Sequence, residues 1–395
     1  MTDTTLPVGI DQACFYTPHY YLDLQTLAQA RGVDVNKYYH GLGQGQMAVP
    51  APDEGVVTLA ANAAVPMLNE ENTANIGMLL FATESGIDQS KSAGIFVHHL
   101  LKLPSSCRVL ELKQACYRAT GGLQLALDYL RSNPNKKVLL IASDIARYGL
   151  NTTGESSQGA GAVAMLLSAK PRLVEIEPPS GIYTEDVMDF WRPNYREEAL
   201  VEGRYSCDLY LKCLAKTWQL YHEASKRNLE DHQQFLYHIP FPRLAEKGHH
   251  KLLHINGQKP CKEAIHLQMQ PSLAYSKTIG NCYTASLYLG LISLLENKSE
   301  DLSNQRIGFY SYGSGAVAEY FSGRIVENYQ SVLHKDYHEN LLESRKALTQ
   351  HEYEDFYHFR YPTDGSRFIF PRHQTGKFRL AMLDQHKRIY ETVQS

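Results

Sequence analysis

The chain has 395 residues, of which 43% are hydrophobic and 21% are charged, and its formal net charge at pH 7 is −3. This composition is ordinary for a globular protein, and it excludes the strongly basic face by which proteins bind nucleic acid. No apolar run is long enough to span a bilayer, and the N-terminus lacks the basic and apolar regions of a signal peptide, so we expect a cytoplasmic protein without a membrane partner.

Strand-like and helix-like segments alternate through the first half of the chain. Continuous apolar runs predict buried strands, and apolar residues at helical spacing predict helices between them. The predicted strands are 75–85, 107–115, 136–144 and 159–168, and the predicted helices are 92–103 and 120–132. Strands that alternate with helices predict an α/β fold.

The second half of the chain repeats this scheme. The segments "ACYRATGGLQLALDYL" from 115 and "NCYTASLYLGLISLLE" from 281 share a Cys-Tyr pair and leucines at matching offsets, with Cys116 opposite Cys282. The strand-like run "VLLIASD" from 138 corresponds to "IGFYSYG" from 307, and "LLFATES" corresponds to "QFLYHIP". Three corresponding segments in the same order predict two copies of one unit fused in tandem.

A proline-containing segment separates the two copies. Residues 170–180 contain three prolines, so we assign residues 1–169 to the first half and residues 170–395 to the second. The segment 207–227 predicts an amphipathic helix, and "RFIFPRH" at 367–373 predicts an edge strand.

The seven cysteines are scattered, and no two of them form a C-x-x-C pair. This pattern favours free thiols in a reducing compartment over disulfides or a zinc knuckle, and we expect no metal site. Cys116 stands out because it precedes a helix, where the helix dipole would lower the pKa of a thiol. The alternative is a cysteine that merely fills the core behind the helix.

Other polar residues lie at the ends of predicted strands. Glu84 and His238 end corresponding strands of the two copies, and Asn281 precedes the second Cys-Tyr pair. Each of them could instead be a structural turn or core residue. The segment "SYGSGAVAEY" at 311–320 predicts a turn that either offers backbone N–H groups to an oxyanion or forms a simple hairpin. A thiol, an acid and a histidine together favour acyl transfer with carbanion chemistry.

Several distinctive motifs occur in order along the chain: "FATESGID", "KQACYRAT", "IASDIARYGL", "SQGAGAVAML", "YTEDVMDFWRP", "YHIPF", "GNCYTASLYL" and "YGSG". With these motifs the chain resembles the 3-hydroxy-3-methylglutaryl-coenzyme A (HMG-CoA) synthase family in its shorter bacterial form. The resemblance implies a thiolase-like fold, with duplicated halves in a five-layer αβαβα sandwich, and a homodimer. It also implies the condensation of acetyl-CoA with acetoacetyl-CoA and water, in the mevalonate pathway to isoprenoids, without a metal or other cofactor.

The resemblance also implies roles for individual residues. Cys116 would carry the acetyl group, Glu84 would act as acid and base, and His238 would orient the acetoacetyl group. Further residues match supporting positions of the family: Asn281 and Ser314 for orientation and the oxyanion, Tyr117, Tyr312, Asp144 and Asp189 around them, and Arg243 and Lys247 for coenzyme A.

Two residues depart from the family pattern. Arg118 stands where relatives usually have a small residue, and Arg243 stands in place of a lysine. The motifs "ESGIDQSKS" and "KQACY" also resemble the polyketide β-branching synthases, whose partner is an acyl carrier protein. A non-catalytic acyl-binding protein of the same fold is a third hypothesis.

Overall fold

The computed structural model describes residues 6–393. Within this range the strands are β1 (Val8–Tyr16), β2 (Tyr20–Asp23), β3 (Gln46–Val49), β4 (Ile76–Ala82), β5 (Arg108–Leu112), β6 (Lys137–Ile145), β7 (Ala160–Ala169), β8 (Val174–Thr184), β9 (Phe190–Trp191), β10 (Leu200–Val201), β11 (Gln234–Tyr237), β12 (Arg306–Gly313), β13 (Val317–Ile325), β14 (Lys346–Ala347), β15 (Phe368–Ile369), β16 (Phe378–Asp384) and β17 (Lys387–Thr392). The helices of the same range are α1 (Leu24–Arg31), α2 (Val56–Ala64), α3 (Glu70–Ala74), α4 (Ala93–Leu100), α5 (Arg118–Ser132), α6 (Gly203–Ser225), α7 (Pro242–Ile255), α8 (Lys262–Ile279), α9 (Ser286–Asn297), α10 (Lys335–Glu343) and α11 (Gln350–His358). The predicted strands and helices of both halves are confirmed, each within a few residues at its ends.

Nine of the strands between residues 6 and 393 form one mixed sheet, in the order β11-β12-β13-β8-β1-β7-β6-β4-β5. On one side β5, β4 and β6 run parallel, and β7 and β1 continue antiparallel. On the other side β11 and β12 run parallel, and β13 and β8 continue antiparallel. The two sides meet where β1 pairs with β8, through Gly9 with Glu175 and Ile10 with Val174. The order β4-β6-β7-β1 therefore matches β11-β12-β13-β8, as the predicted duplication requires.

The strands pack apolar residues on both faces, because successive side chains of a strand point in opposite directions. Leu80 of β4 and Leu140 of β6 belong to the central core, which also contains residues of α5 and α9. Leu79 and Ile141 belong to a second core beneath α2 and α4. A third core joins β12 and β13 to α6, α7 and α8. The two halves of the sheet form two β layers, with α5 and α9 in the core between them. Other helices cover both outer faces, which gives the five αβαβα layers.

Helix α9 is buried all round because it lies in the central layer. Every residue from Ser286 to Glu296 is buried, whereas α5 exposes Leu125. A helix with apolar residues on all sides is typical of such a position. Among the helices of residues 6–393, none is both long and apolar enough to cross a membrane.

The segment between the halves is mostly strand. Strand β8 begins at Val174 and includes Pro178 and Pro179, so four residues, 170–173, connect β7 to β8. The division at residue 169 lies at this short connection and stays a prediction. Of the predicted edge strand at 367–373, only Phe368–Ile369 near its start form a strand, β15, which is an edge strand paired with β16.

Candidate active site

Cys116 lies in a sharp turn between β5 and α5. Gln114 and Ala115 adopt φ angles of 149° and 41°, a region that residues other than glycine rarely occupy. A 3-10 turn follows at Ala115–Tyr117, and α5 begins at Arg118. The turn holds the thiol in front of the helix, where it keeps partial access to solvent.

The Cys116 thiol faces the carboxyl group of Glu84, which follows β4. The thiol donates a hydrogen bond to Oε1, with Sγ 2.8 Å from the oxygen. Burial and the charge of Asp144 raise the pKa of Glu84 above its usual range. Burial and the Glu84 carboxylate likewise raise the pKa of the Cys116 thiol well above its usual range. The expectation of a lowered thiol pKa is therefore wrong, because lost solvation and a neighbouring anion outweigh the helix dipole.

Asp144, at the end of β6, anchors the segment that carries Glu84. Its Oδ1 accepts hydrogen bonds from the backbone N–H of Glu84 at 2.6 Å, from the Thr83 hydroxyl, and from both the N–H and the hydroxyl of Ser85. Its Oδ2 accepts from the N–H and the hydroxyl of Thr284. Asp144 therefore ties the acid of the first half to a turn of the second half.

His238 follows β11 and is held as a neutral imidazole. The Ser286 hydroxyl accepts the Ile239 N–H at 3.1 Å and lies 2.7 Å from His238 Nδ1. The hydroxyl proton is free to point at Nδ1, which leaves the ring proton on Nε2. Burial lowers the pKa of His238 to about 3, so the ring is uncharged at neutral pH.

Asn281 lies just before the second Cys-Tyr pair and is buried. Its Oδ1 accepts the Tyr283 N–H at 2.8 Å, and its Nδ2 donates to the Tyr148 hydroxyl at 3.1 Å. The neighbouring Cys282, the counterpart of Cys116 in the second copy, is 1% exposed and fills the core.

The turn between β12 and β13 packs directly against the Cys116 turn. A Cβ at Gly313 would lie 2.5 Å from the Tyr117 nitrogen and 2.9 Å from the Gln114 oxygen, so only glycine permits this approach. The Gln114 side chain donates to the Ser314 carbonyl at 3.2 Å. Ser314 thus lies next to the turn that carries Cys116, and its role toward an oxyanion stays a prediction.

Buried acids support both of these turns. The carboxylate of Asp189 accepts the Tyr312 hydroxyl at 2.7 Å and the Gly315 N–H at 3.0 Å. The Tyr117 hydroxyl donates to Glu319 at 2.8 Å, across the interface between the halves. Asp189, Tyr312 and Tyr117 therefore help to hold the backbone of these two turns.

Sequence reasoning missed an aromatic cover over the site. The rings of Tyr148, Phe190 and Tyr283 pack with centroids 5.8 to 6.1 Å apart. Burial raises the pKa of Tyr148, and the adjacent thiol group raises it further. Arg192 donates from Nη2 to the backbone carbonyl of Glu84. The signal was available, since Tyr148, Phe190 and Arg192 all lie in family-like motifs.

The predicted coenzyme A contacts lie on helix α7. Arg243 donates from Nε to the His40 carbonyl at 3.0 Å and pairs with Glu246. Lys247 is exposed beside them. The guanidinium of Arg243 already has a carboxylate partner, and the role of both residues toward coenzyme A stays a prediction.

The structure thus brings the Cys116 thiol into contact with the Glu84 side chain, and Asp144 into contact with the Glu84 backbone. It links His238 to the same centre through Ser286, which follows the 3-10 turn Tyr283–Ala285 beside Asp144. A thiol, an acid and a neutral imidazole linked in this way suit nucleophilic acyl transfer with acid and base steps.

Comparisons with known proteins agree with this arrangement. A family model described as "Hydroxymethylglutaryl-coenzyme A synthase N terminal" matches residues 5–171, and one described as "Hydroxymethylglutaryl-coenzyme A synthase C terminal" matches residues 256–391. The chain is 42% identical to the hydroxymethylglutaryl-CoA synthase of Enterococcus faecalis, over 91% of this chain and 94% of that one. It is 34% identical to a polyketide biosynthesis 3-hydroxy-3-methylglutaryl-ACP synthase of Bacillus subtilis, over 88% of this chain and 87% of the relative. A solved structure of an HMG-CoA synthase complexed with CoA superposes with a TM-score of 0.94 at 40% identity, covering 98% of this chain and all of that one.

Proposed function

Because the chain belongs to the hydroxymethylglutaryl-CoA synthase family, we propose that Cys116, Glu84 and His238 carry the family's reaction in it. The protein is an acyltransferase of the thiolase-like fold. It condenses acetyl-CoA with acetoacetyl-CoA and water to give HMG-CoA and CoA, the mevalonate-pathway reaction. The observation that supports the residue assignment best is the 2.8 Å contact between Cys116 Sγ and Glu84 Oε1.

The first step is acetylation of Cys116. The thiol is protonated in the free enzyme, so its proton must leave as sulfur attacks the thioester carbon of acetyl-CoA. The Glu84 carboxylate is in hydrogen-bond contact with that proton and accepts it. The C–S bond to coenzyme A breaks, and the departing thiolate takes this proton from Glu84 and leaves as CoA, which returns Glu84 to its carboxylate form.

The second step forms the carbon–carbon bond. Glu84 removes a proton from the methyl group of the acetyl thioester, and the enolate attacks the ketone carbon of acetoacetyl-CoA. The raised pKa of Glu84 suits this base, because a stronger base removes a carbon-bound proton more readily. His238 donates its Nε2 proton as a hydrogen bond to the ketone oxygen, and Glu84 returns its proton to the new alkoxide.

Backbone N–H groups of Cys116 and Ser314 would stabilise the enolate oxygen. The close approach at Gly313 supports this assignment, because it places the two turns side by side. Each such donor contributes about two to three orders of magnitude in related oxyanion sites. With these donors and an acid–base residue in place, we propose that the reaction needs neither a metal nor another cofactor.

The third step is hydrolysis of the enzyme-bound product. Water adds to the thioester carbon and the bond to Cys116 Sγ breaks; one proton of the water returns to the sulfur and the other is released to solvent. The former acetyl carbonyl carbon leaves as a free carboxylate, which is the acid group of HMG-CoA.

Carrier-protein substrates are the second hypothesis. The identity to the Enterococcus CoA enzyme is higher than the identity to the Bacillus carrier-protein enzyme, which favours CoA substrates. We propose Arg243 and Lys247 as contacts of the coenzyme A phosphates. Steady-state kinetics with acetyl-CoA and with acetyl carrier protein test the choice, and turnover with the carrier alone would contradict it.

We also propose a homodimer and a cytoplasmic location. Strand β5 is an edge of the large sheet and exposes Leu110 by 49%, and an apolar edge strand is suited to pairing with a second copy. The seven cysteines are free thiols, which suits a reducing compartment.

Intact-protein mass spectrometry with acetyl-CoA tests the residue assignment. We expect one acetyl group on the parent protein and none on Cys116→Ser. Glu84→Gln keeps the shape of the side chain, and we expect it to abolish condensation and exchange of acetyl methyl protons with deuterated water. An acetyl group that persists on Cys116→Ser would contradict the nucleophile assignment.

A further inference from the structure

Arg118 is a buried cation that no carboxylate in residues 6–393 holds in an ion pair. It is the first residue of α5 and is 8% exposed. Its Nε donates to the Ala115 carbonyl at 2.8 Å, but its two terminal nitrogens donate to no other group of the described chain. Those two nitrogens are not fully buried, so water can reach them and a ligand can take its place. A mostly buried guanidinium usually has its charge paired and most of its five N–H donors bonded.

The side chain of Arg118 lies on the side of the nucleophile. Helical side chains lean toward the N-terminus of their helix, and the bond to Ala115 shows that this one folds back onto the Cys116 turn. Its positive charge lowers the pKa of Glu84 and of Asp144, opposing the effect of burial on both acids. Arg118 is therefore close enough to Cys116 to act on charge that develops there.

The two neighbouring acids do not use the terminal nitrogens of Arg118. Asp144 is held by backbone and hydroxyl donors on both of its oxygens, and Glu84 faces the Cys116 thiol. The guanidinium therefore keeps a free pair of donors beside these carboxylates. A planar pair of N–H groups matches a carboxylate in a two-point contact.

The proposed reaction generates one carboxylate at this place. When water cleaves the thioester, the carbon that was bonded to Cys116 Sγ becomes a carboxylate next to Glu84 and Asp144. Two neighbouring acids repel a new negative charge, and a cation nearby would offset the repulsion. Arg118 is a buried cation beside this turn, whereas Arg192, a second cation near Glu84, already donates to the Glu84 carbonyl.

We propose that Arg118 binds the carboxylate that hydrolysis releases from Cys116. The terminal nitrogens hold the acid group of HMG-CoA as the C–S bond breaks. This contact stabilises the carboxylate product and so favours hydrolysis. This inference rests on the proposed function, since it requires acylation of Cys116. With a small residue at this position, only water or backbone N–H groups would bind the new carboxylate.

A comparison of two ligands distinguishes binding of the carboxylate from binding of the coenzyme A part. HMG-CoA carries the acid group, and 3-hydroxy-3-methylbutyryl-CoA is the same molecule without it. By calorimetric titration we expect Arg118→Gln to weaken binding of HMG-CoA about ten- to hundredfold, and to leave binding of the second ligand within about twofold. Arg131→Gln, on the exposed end of the same helix, should change neither. Equal losses for both ligands, or no loss, would overturn the proposal.

Rapid acid quench with mass spectrometry tests the hydrolysis step. We expect Arg118→Gln to acetylate at the parental rate and to accumulate the condensed adduct on Cys116 during turnover. Accumulation of acetyl-Cys116 would overturn the proposal, because Arg118 would then act on the condensation through Glu84. Absence of acetylation in the parent protein would refute the proposed function instead.

Thermal unfolding will show whether Arg118→Gln folds. If it does not fold, a variant that keeps the positive charge still tests the proposal. Arg118→Lys keeps the positive charge and loses the two-point contact. We expect it to weaken HMG-CoA binding a few-fold, again without affecting the ligand that lacks the acid group. Parental affinity of Arg118→Lys for HMG-CoA would contradict the two-point contact.

Discussion

Replacing Asp144 with asparagine tests the link between the two halves at the site. The carboxylate accepts four hydrogen bonds on Oδ1 and two on Oδ2, the latter both from Thr284. Asparagine offers one oxygen, so Asp144→Asn keeps the first set and turns an NH2 group toward the donors of Thr284. Two hydrogen bonds to a charged acceptor are lost, each worth about 1.5–3 kcal/mol. Removal of a buried charge offsets part of this loss.

We therefore expect Asp144→Asn to lower the free energy of unfolding by about 2–4 kcal/mol, measured by urea denaturation. The matched control is Thr284→Val, which removes the hydroxyl donor and keeps the charge, and which should cost about 1–2 kcal/mol. An unchanged denaturation midpoint for Asp144→Asn would refute the reasoning.

The same pair of variants predicts the pH dependence of activity. The negative charge of Asp144 raises the pKa of Glu84, so its removal lowers that pKa. Because Glu84 acts as the ionised base, the acid limb of the pH profile of kcat/KM should move to lower pH in Asp144→Asn. It should stay near its parental position in Thr284→Val. A limb that stays in place or moves to higher pH in Asp144→Asn would refute Glu84 as the titrating base.

Three further predictions concern other parts of the fold. Gly313→Ala should abolish acetylation of the thiol in the mass assay, because its Cβ meets backbone atoms, whereas Gly41→Ala, with open space around it, should not. Ser286→Ala removes the partner of His238 Nδ1 and should raise the KM for acetoacetyl-CoA while the acetylation rate stays parental. Burial raises the pKa of Glu54 to about 8, so the folded state keeps a proton that the unfolded chain loses above about pH 4.3. Stability should therefore fall as pH rises between about 5 and 8, by up to about 1.4 kcal/mol per unit, and Glu54→Gln should remove this slope in urea denaturation series.

The sequence predicted the large elements well because their patterns are local. Strands β4 and β6 read as continuous apolar runs, since both of their faces are covered. Helix α9 reads as apolar all round, since it lies in the middle layer. The repeat of the Cys-Tyr element revealed the duplication, and the ends of β4 and β11 pointed to Glu84 and His238.

The properties of the site depended on the tertiary structure. A helix N-terminus predicted a lowered thiol pKa, but the pKa of Cys116 is raised by burial and by Glu84, which lies 32 positions away in the chain. The cover formed by Tyr148, Phe190 and Tyr283 combines segments that no local pattern joins.

The sequence by itself thus determined the α/β architecture, the duplicated halves and the residue types at the strand ends. The tertiary structure decided which of these side chains meet, as when Thr284 reaches Asp144 across 140 positions of the chain. It also showed Arg118, an unexplained departure in the sequence, as a buried cation with free donors beside the nucleophile. The pKa of a side chain depends on the solvation and the charges contributed by every segment around it. Only the folded chain brings those segments together.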